Sequence, residues 1–219
     1  MSGPRARREG VPVWLKTVHA LSRLPGAYGL QQYLAYPTTS RFRVLLGRHV
    51  QIGSQQRVID VACGIGTYRD VLGGEYCGVD INPAYIEAAR RRHAGTFEVM
   101  DCVDLRYATE VFDHVVTIAA THHLDDRQLG AALESALRVC RAGGFVHVLD
   151  AVLPETGNRT FKRLWFRLDA GRFPRSRAAL RSILASRGRI DREDLIGGPL
   201  HDCAYFRVEK PRGPRCDSP

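Results

Sequence analysis

The chain has 219 residues, 44% of them hydrophobic and 25% charged, which suits one α/β domain with a full core and excludes a disordered or fibrous protein. No apolar run approaches the ~20 residues of a membrane span, and the Arg-rich first ten residues lack the apolar centre of a secretory signal, so a cytoplasmic location is expected. The net charge of +9 raises nucleic acid as a partner, yet Lys16, Lys162 and Lys210 are the only lysines, and an arginine skew can come from genome composition.

Residues 1–10 and 210–219 are polar, Pro/Gly-rich stretches that read as disordered tails around a single domain over 11–209. Within 13–24, Trp14, Leu15, Val18 and Leu21 recur at helical spacing before Pro25-Gly26. A second segment, 28–36, stops at Pro37, and Thr38, Thr39 or Ser40 can cap a third helix that carries Phe42, Leu45, Leu46 and His49. The stretch 11–50 is therefore helical.

The apolar run around Asp60 is then broken by Gly64 and Gly66, the pattern of a buried parallel strand whose end turns sharply. Ligands bind at such strand ends in open α/β sheets. A dinucleotide fingerprint would place a third glycine where Arg69 stands. A carboxylate four residues ahead of Gly64 would repel a pyrophosphate, whereas toward an ammonium group it gains a charge-assisted hydrogen bond of about 1.5–3 kcal/mol. The spacing Asp-x-x-x-Gly-x-Gly thus suits an amino-acid moiety.

Strand and helix alternate beyond this point, as in a doubly wound parallel sheet. Strand two covers 76–80; Asn82-Pro83 supplies an N-cap and first-turn proline for a helix over 84–92. Strands three and four cover 97–101 and 113–120. Asp125 and Gln128 form a capping-box pair for a long helix that Gly143-Gly144 terminates, and strand five follows at 145–150. Residues 152–188 form a mostly helical, basic insertion, with Phe161, Leu164, Trp165 and Leu168 on one face beside Lys162, Arg163 and Arg167, then Arg172, Arg175, Arg177 and Arg181. Two β-like runs, around 190–196 and 201–208, are joined by Gly197-Gly-Pro199 into an antiparallel pair within 189–209. The six cysteines, 63, 77, 102, 140, 203 and 216, show no zinc spacing and read as structural thiols.

Asp80 ends strand two and can accept from both ribose hydroxyls of an adenosine, which NAD and S-adenosylmethionine share. Asp101-Cys102 ends strand three where a carboxylate and a backbone N–H can pair with adenine, and the small Ala119-Ala120 ends strand four. Taken in order, Asp60 with Gly64 and Gly66, Gly78 to Pro83, Asp101, Phe112-Asp113 and the run from Arg141 to Phe145 resemble the class I S-adenosylmethionine-dependent methyltransferases over roughly 57–151. The resemblance implies a mostly parallel, seven-stranded Rossmann-like sheet with one antiparallel edge strand, the 11–50 helices as a lid, and 152–188 as an acceptor-side wall. It implies S-adenosyl-L-methionine as cofactor, with Asp60 at its amino group, Gly64, Gly66 and Tyr68 at the methionine part, Asp80 at the ribose, Asp101 and Cys102 at the adenine, Ala119 in backbone contact, and Ala62 and Ile81 also among the cofactor-binding residues. Ala62 departs from the usual glycine but is small enough to fit.

Thr121-His122-His123-Leu124 follows strand four, near the transferred methyl, so His123 or His122 is the candidate general base. His19, His49, His93 and His147 lack a partner pattern and read as structural or solvated. In-line displacement on a sulfonium needs no metal. The His-His loop is similar to that of ubiquinone/menaquinone-type small-molecule methyltransferases and also to that of wobble-uridine tRNA methyltransferases. A small-molecule, lipid or glycan acceptor is the first expectation, anionic or amphiphilic and met at a membrane surface through the basic insertion. A tRNA acceptor and a nonenzymatic S-adenosylmethionine-binding protein are the alternatives.

Overall fold

Short, largely apolar strands, buried along most of their length, build the centre of the molecule. The computed structural model describes residues 36–155, 172–199 and 201–210. The segments expected over 13–24 and 28–35, the apolar and basic stretch 161–168, residues 1–10 and 211–219, His19 and Cys216 lie outside the described residues.

Helix α1 (Tyr36–His49) leads into β1 (Arg57–Val61), β2 (Glu75–Asp80), α2 (Pro83–Arg92), β3 (Thr96–Val99) and β4 (Phe112–Ile118). A 3₁₀ turn (Thr121–His123) precedes α3 (Asp126–Val139), β5 (Cys140–Val152), α4 (Arg177–Ala185), β6 (Arg189–Ile196) and β7 (Asp202–Glu209). The sheet has seven strands in the order β3-β2-β1-β4-β5-β7-β6. The first five run parallel, and β7 lies antiparallel to both β5 and β6. The antiparallel strand is thus one place in from the rim: the Gly197-Gly-Pro199 hairpin folds the more apolar β7 inward against β5 and leaves the charged β6 outside.

Side-chain alternation sorts the core into two layers. Ile59 and Val61 pack with Val115, Val146 and Val148 against α3 and α4, while Val58, Val116, Leu149 and Tyr205 pack against α1 and α2. The Asn82 cap and the Asp125–Gln128 capping box form as the sequence predicts. Three local expectations differ. Pro37 sits inside α1, and Thr38, rather than capping, is buried with its hydroxyl 3.1 Å from His201 Nδ1. Helix α3 ends at Val139, before Gly143-Gly144, because those glycines continue β5: Gly143 N donates to Lys210 O (3.0 Å) and Lys210 N to Gly144 O (3.0 Å). A Cβ on Gly144 would lie 2.7 Å from Asp113 O, so only glycine permits this approach.

Candidate functional site

The strand order reverses between β1 and β4, and ligands fit the crevice at the strand C-termini of such a switch point. The backbone turns left-handed there at Ala62 (φ 61°), Gly64 (57°), Gly66 (79°) and Ala119 (54°). Glycine takes this conformation freely, whereas a Cβ costs about 1–2 kcal/mol. Ala62 fits the space available, but the alanine is not without cost, and two strained alanines flank the same opening. A cavity of about 740 Å³ opens between them.

Ala62, Gly64, Asp80 and Ile81 line the cavity from the β1–β2 side. Asp101 and Cys102 line it after β3, and Ala119 and His123 after β4. Asp80 is 8% exposed, and its two oxygens accept from Gly64 N (2.9 Å) and Asn82 N (2.8 Å). Burial pushes its pKa up, against those two N–H donors. Each oxygen keeps a lone pair for a ligand hydroxyl. Ile81 is 66% exposed, an apolar side chain held at the cavity rim where a flat ring can lie on it. Asp101 Oδ1 accepts from Val103 N (3.1 Å), which fixes the turn after β3. Burial, then Asp101, pushes the Cys102 thiol up to about 12, so it is no nucleophile.

Four predicted residues do not line this cavity. Strand alternation turns Asp60 onto the α1–α2 layer, where it is 1% exposed and accepts from the Tyr76 hydroxyl at 2.9 Å. Burial raises its pKa to about 7. Gly66 serves the turn and packing, since a Cβ there would meet His93 Cδ2 at 2.8 Å. Tyr68 packs edge-on to Phe42, beneath the Arg43 guanidinium, and hydrogen-bonds Thr39. His122 points into the protein, its Nδ1 2.6 Å from Asp150 Oδ1.

Asp150, fully buried near the end of β5, was not singled out from the sequence. It anchors the 3₁₀ turn by accepting from the Thr121 hydroxyl and from His122 N. Burial pushes its carboxyl up, but the His122 charge and these hydrogen bonds outweigh that and hold it below the usual range. Its signal was available: it is a carboxylate near the C-terminal end of an apolar strand, two residues before β5 ends. His123 lies against His122, ring centroids 4.2 Å apart and planes tilted by 45°, and remains exposed on the cavity wall. Arg175 completes the support. Buried, it donates to Thr121 O (2.8 Å), Leu124 O (2.7 Å) and Asp126 Oδ1 (2.6 Å), clamping the chain after 172 onto the histidine turn. Arg177 pairs with Glu155 and Arg181 with Glu193, so three arginines of the basic insertion are engaged within the molecule. Two histidines given no role also have partners: His49 binds Asp194 (2.8 Å), and His147 lies between His114 (3.0 Å) and the Tyr205 hydroxyl (2.9 Å).

Residues 58–144, which hold β1 to β4 and the glycine turn, match the methyltransferase domain family. The phthiotriol/phenolphthiotriol dimycocerosates methyltransferase 1 of Mycobacterium ulcerans is 33% identical over 110 residues, covering 47% of this chain and 40% of that protein. The probable tRNA methyltransferase 9B of Mus musculus is 33% identical over 116 residues, 48% of this chain and 24% of that one. The chain spans less than half the length of such curated relatives. Among solved structures, a chain of the complex between the Haloferax volcanii Trm112 methyltransferase activator and a methyltransferase superposes with a TM-score of 0.71 at 17% identity, covering 90% of this chain and 98% of that one. Residues 58–144 thus match a methyltransferase domain, and the seven-stranded sheet has the fold of solved S-adenosylmethionine-dependent methyltransferases.

Proposed function

We propose that this domain transfers a methyl group from S-adenosylmethionine to a small-molecule or lipid acceptor. The observation that carries the reading is the strand-end cavity at the β1–β4 switch point, where Asp80, Asp101 and the left-handed turn at Ala62 and Gly64 face one space. When bound, the cofactor supplies an electrophilic methyl: the acceptor's lone pair forms the new bond to carbon as the C–S pair returns to sulfur, leaving a neutral thioether.

The protein's part is mainly to position the two reactants. Asp80 would hold the ribose, Ile81 and Cys102 would flank the adenine, and Asp101 would accept from its amino group. Gly64 and Ala119 would let the backbone approach the methionine chain. His123 would take the proton of a hydroxyl or ammonium acceptor, and His122 would act through it, held by Asp150. Asp60 would act on the cofactor's ammonium only through intervening groups, since it is buried and does not line the cavity. Residues 152–188 would form the acceptor-side wall, tied to the histidine turn by Arg175. A cytoplasmic location belongs to the same reading, and no helix among the described residues is long and apolar enough to cross a membrane.

Titration calorimetry with S-adenosylmethionine, S-adenosylhomocysteine and NAD tests the cofactor. Micromolar binding of the first two without NAD is expected, and NAD binding alone would overturn the proposal. The mouse relative's name favours tRNA as the second reading. A tRNA gel shift with a steep salt slope would support it.

A further inference from the structure

Parallel strands are usually joined through a helix, whose own ladder consumes its backbone polar groups. Between β1, which ends at Val61, and β2, which begins at Glu75, there is none. The chain there turns left-handed at Ala62, Gly64 and Gly66 and is held by separate bonds rather than by a ladder. Cys63 N donates to Val79 O (2.9 Å), Gly66 N to Cys63 O (3.0 Å), Arg69 N to Gly66 O (3.0 Å) and Val71 N to Tyr68 O (3.1 Å). Carbonyls that a helix would satisfy internally still need donors. Guanidinium groups supply them at Thr67 and Leu72. Arg43 of α1 donates Nη2 to Thr67 O (2.7 Å) and makes a two-pronged pair with Asp70 (2.7 and 3.0 Å). Arg69 donates Nη1 to Leu72 O (2.8 Å) and Nε to Ala94 O (2.9 Å), so it ties the turn to the chain entering β3. Its guanidinium also lies 4.7 Å from the ring centroid of Tyr76, the residue that donates to Asp60.

We infer that Arg43 and Arg69 are positioning residues for the cofactor: together they hold the glycine turn in the shape that receives its amino-acid end. The inference rests on the methyltransferase reading and adds to it two residues that do not themselves line the cavity. Gly64, which does line it, stands three residues before the carbonyl that Arg43 binds, and the Cys63–Gly66 and Gly66–Arg69 bonds connect the two places. The Arg43–Thr67 and Arg69–Leu72 bonds are partly buried, where a charge-assisted hydrogen bond is stronger than in water. The Arg43–Asp70 pair is exposed at Asp70 and contributes less. Left-handed backbone persists only where its surroundings determine it, and the two arginines tie this stretch to α1 and to the approach to β3. The position where a dinucleotide fingerprint carries its third glycine is thus used here to shape the turn.

Calorimetry on the full chain compares S-adenosylhomocysteine with 5′-methylthioadenosine, which keeps the nucleoside and the thioether and lacks the amino-acid end. Arg43→Met and Arg69→Met keep an aliphatic stem near Tyr68 and Tyr76 and remove the donors. Each is expected to weaken S-adenosylhomocysteine about tenfold and to leave 5′-methylthioadenosine within about threefold, a split that a general loss of structure would not produce. Arg48→Ala, at an exposed position of the same helix, controls for the lost charge and is expected to change neither affinity. Amide hydrogen exchange at Gly64 and Gly66 reads the turn without ligand, and faster exchange at both is expected in each variant. Arg43→Lys and Arg69→Lys replace any methionine variant that fails to melt cooperatively, since one ammonium cannot reproduce the guanidinium fork. S-adenosylhomocysteine affinities within about twofold of wild type in both folded variants would overturn the inference. So would equal losses for the two ligands, or unchanged exchange. Wild-type protein that binds neither ligand would refute the cofactor reading instead, and exchange at the two glycines would then decide whether the arginines hold the turn.

Discussion

Substituting Asp80 by asparagine separates a ligand-binding carboxylate from a merely structural one. The carboxylate already accepts two backbone N–H groups, from Gly64 and Asn82, and has capacity left for two ribose hydroxyls. Asparagine keeps one acceptor oxygen, loses the charge, and turns an N–H₂ toward one of those amides. Hydrogen bonds to a charged partner contribute about 1.5–3 kcal/mol each. Weakening one and losing the other is therefore expected to cost about 2–4 kcal/mol of binding, or roughly 30- to 1,000-fold in S-adenosylhomocysteine affinity. The donor-against-donor contact also costs folding stability, about 1–3 kcal/mol, so chemical denaturation must accompany calorimetry. Adenosine should suffer the same loss as S-adenosylhomocysteine, because the ribose is common to both. A folded Asp80→Asn protein that binds S-adenosylhomocysteine within threefold of wild type would refute the assignment. Burial also raises the Asp80 pKa. Wild-type affinity should therefore decline on acidification sooner than an ordinary exposed carboxylate would dictate.

The strands of the central sheet were legible because a parallel strand buried on both faces has to be apolar along its length, and a short run such as 57–61 has no other stable use. Caps were legible for a related reason: Asn82 and Asp125 meet local needs of the adjacent backbone, and no distant residue alters them. The Gly143-Gly144 pair was misread because a glycine's local signal does not distinguish a helix stop from a close strand contact. Its partner, Lys210, lies 67 residues away from Gly143 by numbering, and only the β5–β7 pairing reveals it.

Site residues divide along the same line. Asp80, Ile81, Asp101, Cys102 and Ala119 follow strand ends, so knowing the strand places them at the crevice. Asp60 lies inside β1, where period-two alternation decides its face, and the alternation that puts Ile59 and Val61 against α3 puts Asp60 with Tyr76 on the other side. Its neighbour in this argument, Tyr76, carries no motif of its own. The two histidines look equivalent in sequence, and only Asp150, arriving from β5, makes His122 an anchor and leaves His123 on the wall.

Once an acceptor is identified, His123→Ala is expected to lower the maximal rate about 10²–10⁴-fold with S-adenosylhomocysteine affinity unchanged; a rate within a few-fold of wild type removes it as the base. Ala62→Gly relieves the left-handed strain at φ 61° and should raise stability by up to about 1 kcal/mol, whereas Ala62→Val should lower it. Denaturation midpoints that move the other way would show that the Ala62 side chain contributes packing worth more than the strain. The remaining prediction concerns pH. Burial lowers the pKa of His114, flanked by Asp113, Arg141 and Arg207, and lowers that of His147, beside His114, Arg207 and His49, further. The unfolded chain therefore binds more protons at these two sites. Their contribution is complete above the ordinary histidine pKa of about 6.5 and is lost as pH falls below it, by about 1.4 kcal/mol per pH unit for each proton. Asp60 acts with the opposite sign. Its folded pKa of about 7 lies above the unfolded value of 3.8, so its contribution is full at low pH and is lost as pH rises through 7. In the wild type the two effects offset each other between pH 7 and 5. Asp60→Asn removes the carboxylate while keeping an acceptor for Tyr76, so the variant should gain stability relative to wild type at pH 8 and lose it more steeply than wild type from pH 7 to 5. Urea denaturation of both proteins across that range measures this directly. A flat profile for Asp60→Asn would show that neither histidine is held neutral by the fold.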